Sequence, residues 1–213
     1  MHLKKQSHGI KWEQFIPIIL KEKITKKNEE EVAEIIESFL KEKYRVEENA
    51  LLQYVAHLKL VLNKAGNNFF PIMARITENP IYRNDFTGFI TTFPRGPYDT
   101  GRGYIWMIYD KTDERQIKAF IHELLHMQFE HYYKEKLLKL INEEQFSFLK
   151  ESMTIIINKE FLHITSEQDR GYPIHQEFRK YLLNLWEHRQ NFPQFISEAV
   201  KHVNEFQNIN PAL

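Results

Sequence analysis

The sequence predicts an α+β fold, in which a small, mostly antiparallel sheet lies between N-terminal helices and further C-terminal helices. Apolar residues recur at helical spacing up to about residue 66, and helical spacing returns from Asp113 onward. Between them, short β-branched and aromatic runs are separated by turn residues. A chain of 213 residues fits a single domain, 1–213, with a helical N-terminal region (residues 1–66) and a second region (residues 67–213).

Two helices are expected in the N-terminal region. Glu29–Lys43 and Glu48–Lys64 each place apolar residues on one face. Asn28 suits the N-cap of the first helix, because its side chain accepts a backbone N–H and three glutamates follow it. Gly66 is a typical residue for ending the second helix.

Three strands are expected next, at Phe69–Thr77, Phe86–Phe93 and Tyr104–Tyr109, each bounded by Pro, Gly, Asn or Asp. Thr112 or Asp113 then caps a long helix. The same periodicity predicts further helices at 135–158, 174–189 and 193–207.

Composition excludes several classes of protein. The absence of cysteine excludes disulfides, thiolate metal sites and cysteine nucleophiles. Equal numbers of basic and acidic residues, 29 of each, leave no overall positive charge to attract nucleic acid or anionic lipid. No apolar segment reaches the roughly 18–20 residues of a spanning helix. We therefore expect a cytoplasmic protein with neither nucleic-acid nor membrane partners; composition does not indicate its oligomeric state.

The motif His122-Glu123-Leu124-Leu125-His126 lies on the predicted long helix. Residues four apart share a helix face, so both imidazoles can bind one metal ion. Glu123 can reach a metal-bound water without binding the metal, which suits a general base. The alternative is a pair of ordinary histidines bonded to carbonyls or carboxylates, but two histidines on a mostly buried helix need partners, and a metal satisfies both.

Zinc needs a third protein ligand. In one zinc-binding pattern the third ligand is a histidine ten residues after the first, but Tyr132 occupies that position here. His131 misses it by one residue, or about 100° around a helix. Glu151, by contrast, is an isolated glutamate in an apolar stretch, where a buried carboxylate must be neutral, paired or metal-bound. Glu151 is the preferred third ligand, and the alternatives are Glu143, Glu144, His163 and Asp169.

At these residues the chain resembles the zincin-type metallopeptidases, specifically the gluzincin branch. The resemblance covers about residues 100–160 and implies a zincin-like active-site helix. It also implies one zinc ion held by His122, His126 and Glu151, with Glu123 as the catalytic glutamate. In such enzymes an edge strand above the site binds extended peptide, a role that would fall to Tyr104–Tyr109.

The resemblance also raises two questions about supporting residues. Related enzymes carry an aspartate four residues after the ligand glutamate to orient a histidine, but here that position is Ile155. The orienting group must come from elsewhere, with Ser152, Thr154 and Asn158 as candidates. Gluzincins often use a Tyr or His further along the chain to stabilise the oxyanion, for which Tyr172 and His175 are the candidates.

The sequence therefore predicts a zinc metallopeptidase acting on a peptide or protein substrate. One alternative is a non-catalytic protein of the same fold with a regulatory or peptide-binding role. A second alternative is a helical interaction protein that binds no metal.

Overall fold

The computed structural model describes residues 17–92, 96–109 and 112–207. The chain divides into two compact units, Met1–Leu60 and Val61–Leu213. This boundary lies six residues before the division at 66/67 expected from the sequence. The described portion of the first unit comprises α1 (Ile18–Ile24) and the beginning of α2 (Glu29–Thr77).

One continuous helix, α2, replaces the two helices and the first strand that the sequence predicts. Asn28 caps it as expected, since its Oδ1 accepts the Glu31 N–H at 2.9 Å and Glu31 accepts the Asn28 N–H in return. Gly66 does not end the helix; it is buried within it. The predicted strand 69–77 is wrong: Phe69, Met73 and Ile76 are all buried, and their spacing of four and three places them on one helix face.

The sheet has three strands: β1 (Thr87–Thr91), β2 (Tyr98–Asp99) and β3 (Tyr104–Ile108). Their order is β1-β3-β2, with β1 parallel to β3 and β2 antiparallel to it. The sheet is thus mixed, not mostly antiparallel, because five residues pair in parallel and only two in antiparallel register. The prediction that Tyr104–Tyr109 contains an edge strand is also wrong, since β3 lies in the centre.

The remaining chain is helical, as predicted, but with different boundaries. Thr112 caps the long helix, accepting the Arg115 N–H. The predicted helix 135–158 is interrupted, because the long helix ends at Leu137 and Asn142 starts a new one through a capping box with Gln145. The helices are α3 (Asp113–Leu137), α4 (Glu143–Met153), α5 (Ile155–Glu160), α6 (Leu162–Thr165), α7 (Gln176–His188) and α8 (Phe192–Gln207), with a 3-10 turn at Pro173–His175.

The core of the second unit is built around α3, which contacts β3 on one side and α4 on another. Ile105 and Met107 point inward from β3, while Ile121 and Leu124 of α3 are completely buried. Helices α7 and α8 pack against α4. Among the described helices none has the length and apolar content needed to cross a membrane.

Candidate metal centre

Helix α3 presents the two motif histidines to α4. The imidazole centroids of His122 and His126 lie 4.5 Å apart with their planes nearly perpendicular. Glu151 of α4 approaches both, its Oε2 lying 3.5 Å from His126 Nε2 and 4.0 Å from His122 Nε2. Tetrahedral ligands at zinc bond lengths of about 2.0–2.2 Å are roughly 3.4 Å apart, so these three atoms need little movement to share an ion.

The outer nitrogen of His122 is held by a carboxylate. Its Nδ1 lies 2.7 Å from Oδ2 of Asp169. Burial opposes a charged imidazole, but the charge and hydrogen bond of Asp169 outweigh it and raise the pKa of His122 to about 9. Because Nδ1 donates to Asp169, loss of one ring proton would leave Nε2, which faces His126 and Glu151, with the lone pair that a metal ligand needs.

Hydrogen bonds fix both the side chain and the backbone of Asp169. Its Oδ1 accepts from Thr154 Oγ1 and from Arg179 Nη2, both at 3.0 Å. Arg179 also donates to the Asp169 carbonyl at 2.6 Å, while Asn158 pairs with the backbone N–H and C=O of Asp169. Burial would raise the pKa of Asp169, but His122 and Arg179 keep it well below its usual value. Asp169 is therefore a fixed anion.

A close backbone approach permits this arrangement. Gly171 has φ +58°, and a Cβ there would lie 2.7 Å from Cζ of Arg179. Only glycine adopts this backbone conformation without strain and leaves room for the guanidinium. The segment after α6 can therefore wrap around Arg179 and present Asp169 to His122.

His126 is more deeply buried, with 1% of its surface exposed. Neither ring nitrogen has a hydrogen-bond partner among the described residues. Burial lowers the pKa of His126 to about 4, so the ring is neutral at physiological pH. A buried nitrogen lone pair facing a carboxylate costs free energy unless something lies between the two, and a cation meets that need.

Two carboxylates face the histidines in different environments. Glu123 and the two imidazoles form a group whose ligand atoms lie within 4.8 Å of one another. Burial raises the pKa of Glu123 to about 7. Burial acts in the same direction on Glu151, but the nearby His126 and His122 outweigh it and hold its pKa below the usual value. Glu151 is thus the permanent anion suited to bind a metal, and Glu123 the group suited to exchange a proton near neutral pH.

The protonation state that binds a metal would leave an excess of negative charge in and beside the site. Among the described residues, four mostly buried carboxylates and two buried cations lie there. The carboxylates are Glu123, Glu130, Glu151 and Asp169; the cations are Lys150 and Arg179. With neutral imidazoles and ionised carboxylates, two negative charges remain uncompensated, which a single divalent cation would neutralise. The donors present therefore fit zinc in both geometry and charge.

The other predicted residues lie elsewhere. His175 is completely buried, with its ring edge-on to Phe148 and to Tyr172. That burial leaves the His175 imidazole no surface to offer a substrate, so the structure does not favour it as an oxyanion donor. Tyr172 is half-buried, and its role stays a prediction. Glu143, Glu144 and His163 are exposed, and none of them belongs to the group around the histidines.

Sequence reasoning missed how the site is supported. Asp169 was a candidate third ligand, but the structure places it behind His122 as the orienting group. Thr154 and Asn158, proposed to orient a histidine, contact Asp169 instead, whereas the Ser152 hydroxyl has no hydrogen-bond partner among the described residues. The signal in the sequence was Arg179, a charged residue on the apolar face of α7 beside Phe178 and Leu182.

Comparison of the chain with protein-family models, with characterised proteins and with solved structures finds no match.

Proposed function

We propose that this protein is a zinc-dependent metallopeptidase. His122, His126 and Glu151 would hold one zinc ion, and Glu123 would serve as general base. The observation that carries the proposal is the convergence of His122 Nε2, His126 Nε2 and Glu151 Oε2, while Asp169 engages the remaining nitrogen of His122. This is the ligand set, with its outer support, that a catalytic zinc uses.

Bound at this site, zinc would lower the pKa of a coordinated water and polarise the carbonyl of the peptide bond. Glu123 would accept the proton of the attacking water and then deliver it to the leaving amine. Burial raises the pKa of Glu123 to about 7 in the metal-free protein, so its surroundings favour the protonated form that must return the proton. The buried surroundings strengthen each of these electrostatic interactions.

A peptide substrate is supported by the position of β2. This short strand contacts α3, and within the described sheet it pairs on one side only, with β3. Tyr98 of β2 lies beside His126, their ring centroids 5.7 Å apart. A strand with a free edge next to the site could pair with an extended peptide and place its backbone over the histidines.

The test compares wild type with Glu123→Gln and with the control Glu135→Gln, an exposed residue of α3. Zinc content is measured by mass spectrometry, and cleavage is measured on a mixed peptide library. We expect one zinc per chain in all three proteins and cleavage in all but Glu123→Gln. Cleavage that survives Glu123→Gln would falsify the mechanism. Zinc binding without cleavage by wild type would favour the non-catalytic alternative, and no zinc binding would favour an interaction protein.

A further inference from the structure

A hydrogen-bonded cluster of Tyr98, Thr100, Glu130 and Lys150 adjoins the proposed metal centre without sharing a residue with it. Glu130 Oε1 accepts from Tyr98 Oη at 2.6 Å and from Lys150 Nζ at 3.1 Å. Its Oε2 accepts from Thr100 Oγ1 at 2.7 Å, and Lys150 also donates to Tyr98 Oη. A single carboxylate thus joins the sheet to two helices.

Three of the four members of this cluster, Glu130, Lys150 and Tyr98, lie close to a residue of the metal centre. Glu130 follows His126 by four residues on α3, so the two side chains share a helix face. Lys150 immediately precedes Glu151 on α4. The ring of Tyr98, on β2, packs on the ring of His126 at an angle of 33°. Movement of these cluster residues would therefore also displace His126 and Glu151.

Other packing also holds the two elements joined here: α4 packs against α3, α7 and α8, and β2 contacts α3. The turn between α3 and α4 fixes only the beginning of α4, and Glu151 is the ninth of its eleven residues. Strand β2 is two residues long and pairs with β3 alone among the described strands. The contacts of Lys150 and Tyr98 add to this packing a polar link between the end of α4 and β2, which neither the turn nor the strand pairing provides.

Burial strengthens the hydrogen bonds and the ion pair of Glu130. The side chains of Glu130 and Lys150 are 16% and 13% exposed, so water competes weakly for their charges. Three donors fix the orientation of the Glu130 carboxylate, and the Lys150 ammonium also lies 5.0 Å from the centre of the Tyr98 ring.

We propose that Glu130 is a positioning residue for the metal centre: it holds β2 and the end of α4 on α3, and so sets the distance between Glu151 and His126. The portion of this inference that concerns metal rests on the proposed function. The portion that concerns β2 and α4 does not, because the contacts exist in the metal-free protein.

The test compares wild type with Glu130→Gln, Thr100→Val and the control Glu160→Gln. Glu160 is also 16% exposed, accepts from Trp186 Nε1 at 2.9 Å and pairs with Arg75. Replacing it should therefore cost a comparable amount of stability without affecting the Glu130 cluster. In metal-free protein, amide hydrogen exchange is followed at 98–100 and at Glu151. We expect at least tenfold faster exchange in Glu130→Gln, a smaller increase at 98–100 in Thr100→Val, and no local increase in Glu160→Gln.

Cobalt(II) then reports on the metal centre, because its visible absorption is intense only in tetrahedral geometry. Glu130→Gln should weaken cobalt affinity at least tenfold and reduce that absorption, whereas Glu160→Gln should leave both at the wild-type level. Lys150→Arg, which retains the cation, should lose less affinity than Lys150→Met.

The outcomes separate this inference from the proposed function. Unchanged exchange in Glu130→Gln and Thr100→Val overturns the inference, as does an equal increase in Glu160→Gln. If Glu130→Gln shows faster exchange but keeps wild-type cobalt affinity and absorption, the inference is also overturned, because the position of Glu151 would not depend on the Glu130 cluster. A wild type that binds neither zinc nor cobalt overturns the proposed function, and the exchange experiment still decides whether Glu130 holds β2 and α4. Should Glu130→Gln fail to fold, Thr100→Val removes one donor without leaving an unpaired buried charge and decides whether Glu130 holds β2. The cobalt affinities of Lys150→Arg and Lys150→Met then decide whether it holds the end of α4; equal losses in the two would overturn the inference.

Discussion

Nδ1 of His122 lies 2.7 Å from Oδ2 of Asp169, although 47 residues separate them in the chain. This contact directs the other nitrogen of His122 toward Glu151, on a different helix. Asp169 is in turn held by Arg179 of α7. The proposed metal centre therefore depends on residues from separate segments of the chain, and each can be tested.

Replacing Asp169 should weaken zinc binding without abolishing it. In Asp169→Asn the amide can still contact Arg179, but it no longer stabilises the His122 ring as a carboxylate does. We expect zinc affinity to fall by about 10–100-fold, the usual effect of losing such a partner. Affinity is measured by competition with a chelator of known strength, with the exposed Asp85→Asn as control. A folded Asp169→Asn protein with wild-type affinity would show that the contact does not orient the ligand.

Zinc affinity should rise with pH over an unusually wide range. His122 has a pKa of about 9 in the metal-free protein, so below pH 9 a proton must leave before zinc binds. Affinity should therefore increase about tenfold per pH unit between roughly pH 6.5 and 9, where an ordinary histidine of pKa about 6.5 would already have levelled off. His126, with its pKa of about 4, adds no dependence in that range.

The same shift affects folding in the opposite direction. Because the folded-state pKa of His122 is raised, its contribution to the stability of the metal-free protein is complete below about pH 6.5 and is lost as pH rises through 9. Urea unfolding at a series of pH values measures this.

Asp169→Asn tests whether His122 causes the pH dependence of zinc binding. In this variant the pH at which zinc affinity levels off should move down toward 6.5. An affinity that still levels off near pH 9 would show that another group is responsible.

Gly171→Ala should disturb the metal centre from a distance. The backbone there has φ +58°, which costs a residue with a Cβ roughly 1–2 kcal/mol, and the added Cβ would approach Arg179 to 2.7 Å. We expect Tm to fall by about 2–8 °C and zinc affinity to decrease, because Arg179 can no longer hold Asp169. The control is Gly88→Ala, where the nearest atom, Sδ of Met107, lies 3.9 Å from the new Cβ. Equal effects of the two substitutions would contradict the prediction.

Removing metal should destabilise the protein, because an ion that binds only the folded chain shifts the folding equilibrium toward the folded state. A free zinc concentration about one hundred times Kd should stabilise the fold by about 2.7 kcal/mol. Differential scanning calorimetry with zinc and with chelator measures this shift. The shift should be lost in Glu151→Ala and in His126→Ala, and should persist in Glu144→Ala, an exposed residue of the same helix as Glu151. A shift that persists in all three variants would place the metal elsewhere.

Local sequence determined the features that depend on near neighbours. The Asn28 and Thr112 caps are as predicted, because a cap needs only a side chain and a backbone N–H three residues away. The motif placed His122 and His126 on one face of a helix for the same reason. The strands at 87–91 and 104–108 also fall within the predicted runs.

Where local sequence signals conflict, tertiary packing determined the structure. The aromatic run beginning at Phe69 has strand propensity, yet burial of one face every three to four residues makes it the end of α2. Gly66 suggested a helix end, but burial within α2 outweighs its cost in backbone entropy. The central position of β3 follows from the pairing of strands on both its sides, which periodicity along one strand does not encode.

His122, His126, Glu151 and the proposed general base Glu123 can be recognised from the sequence, because each is marked by its spacing or by its apolar neighbours. The place of Asp169 behind His122, of Arg179 beside Asp169 and of Glu130 between β2 and α4 became apparent only in the folded chain. These contacts join residues at least ten, and as many as 47, positions apart, and a buried charge is placed by the partners that offset its desolvation rather than by its neighbours in the chain.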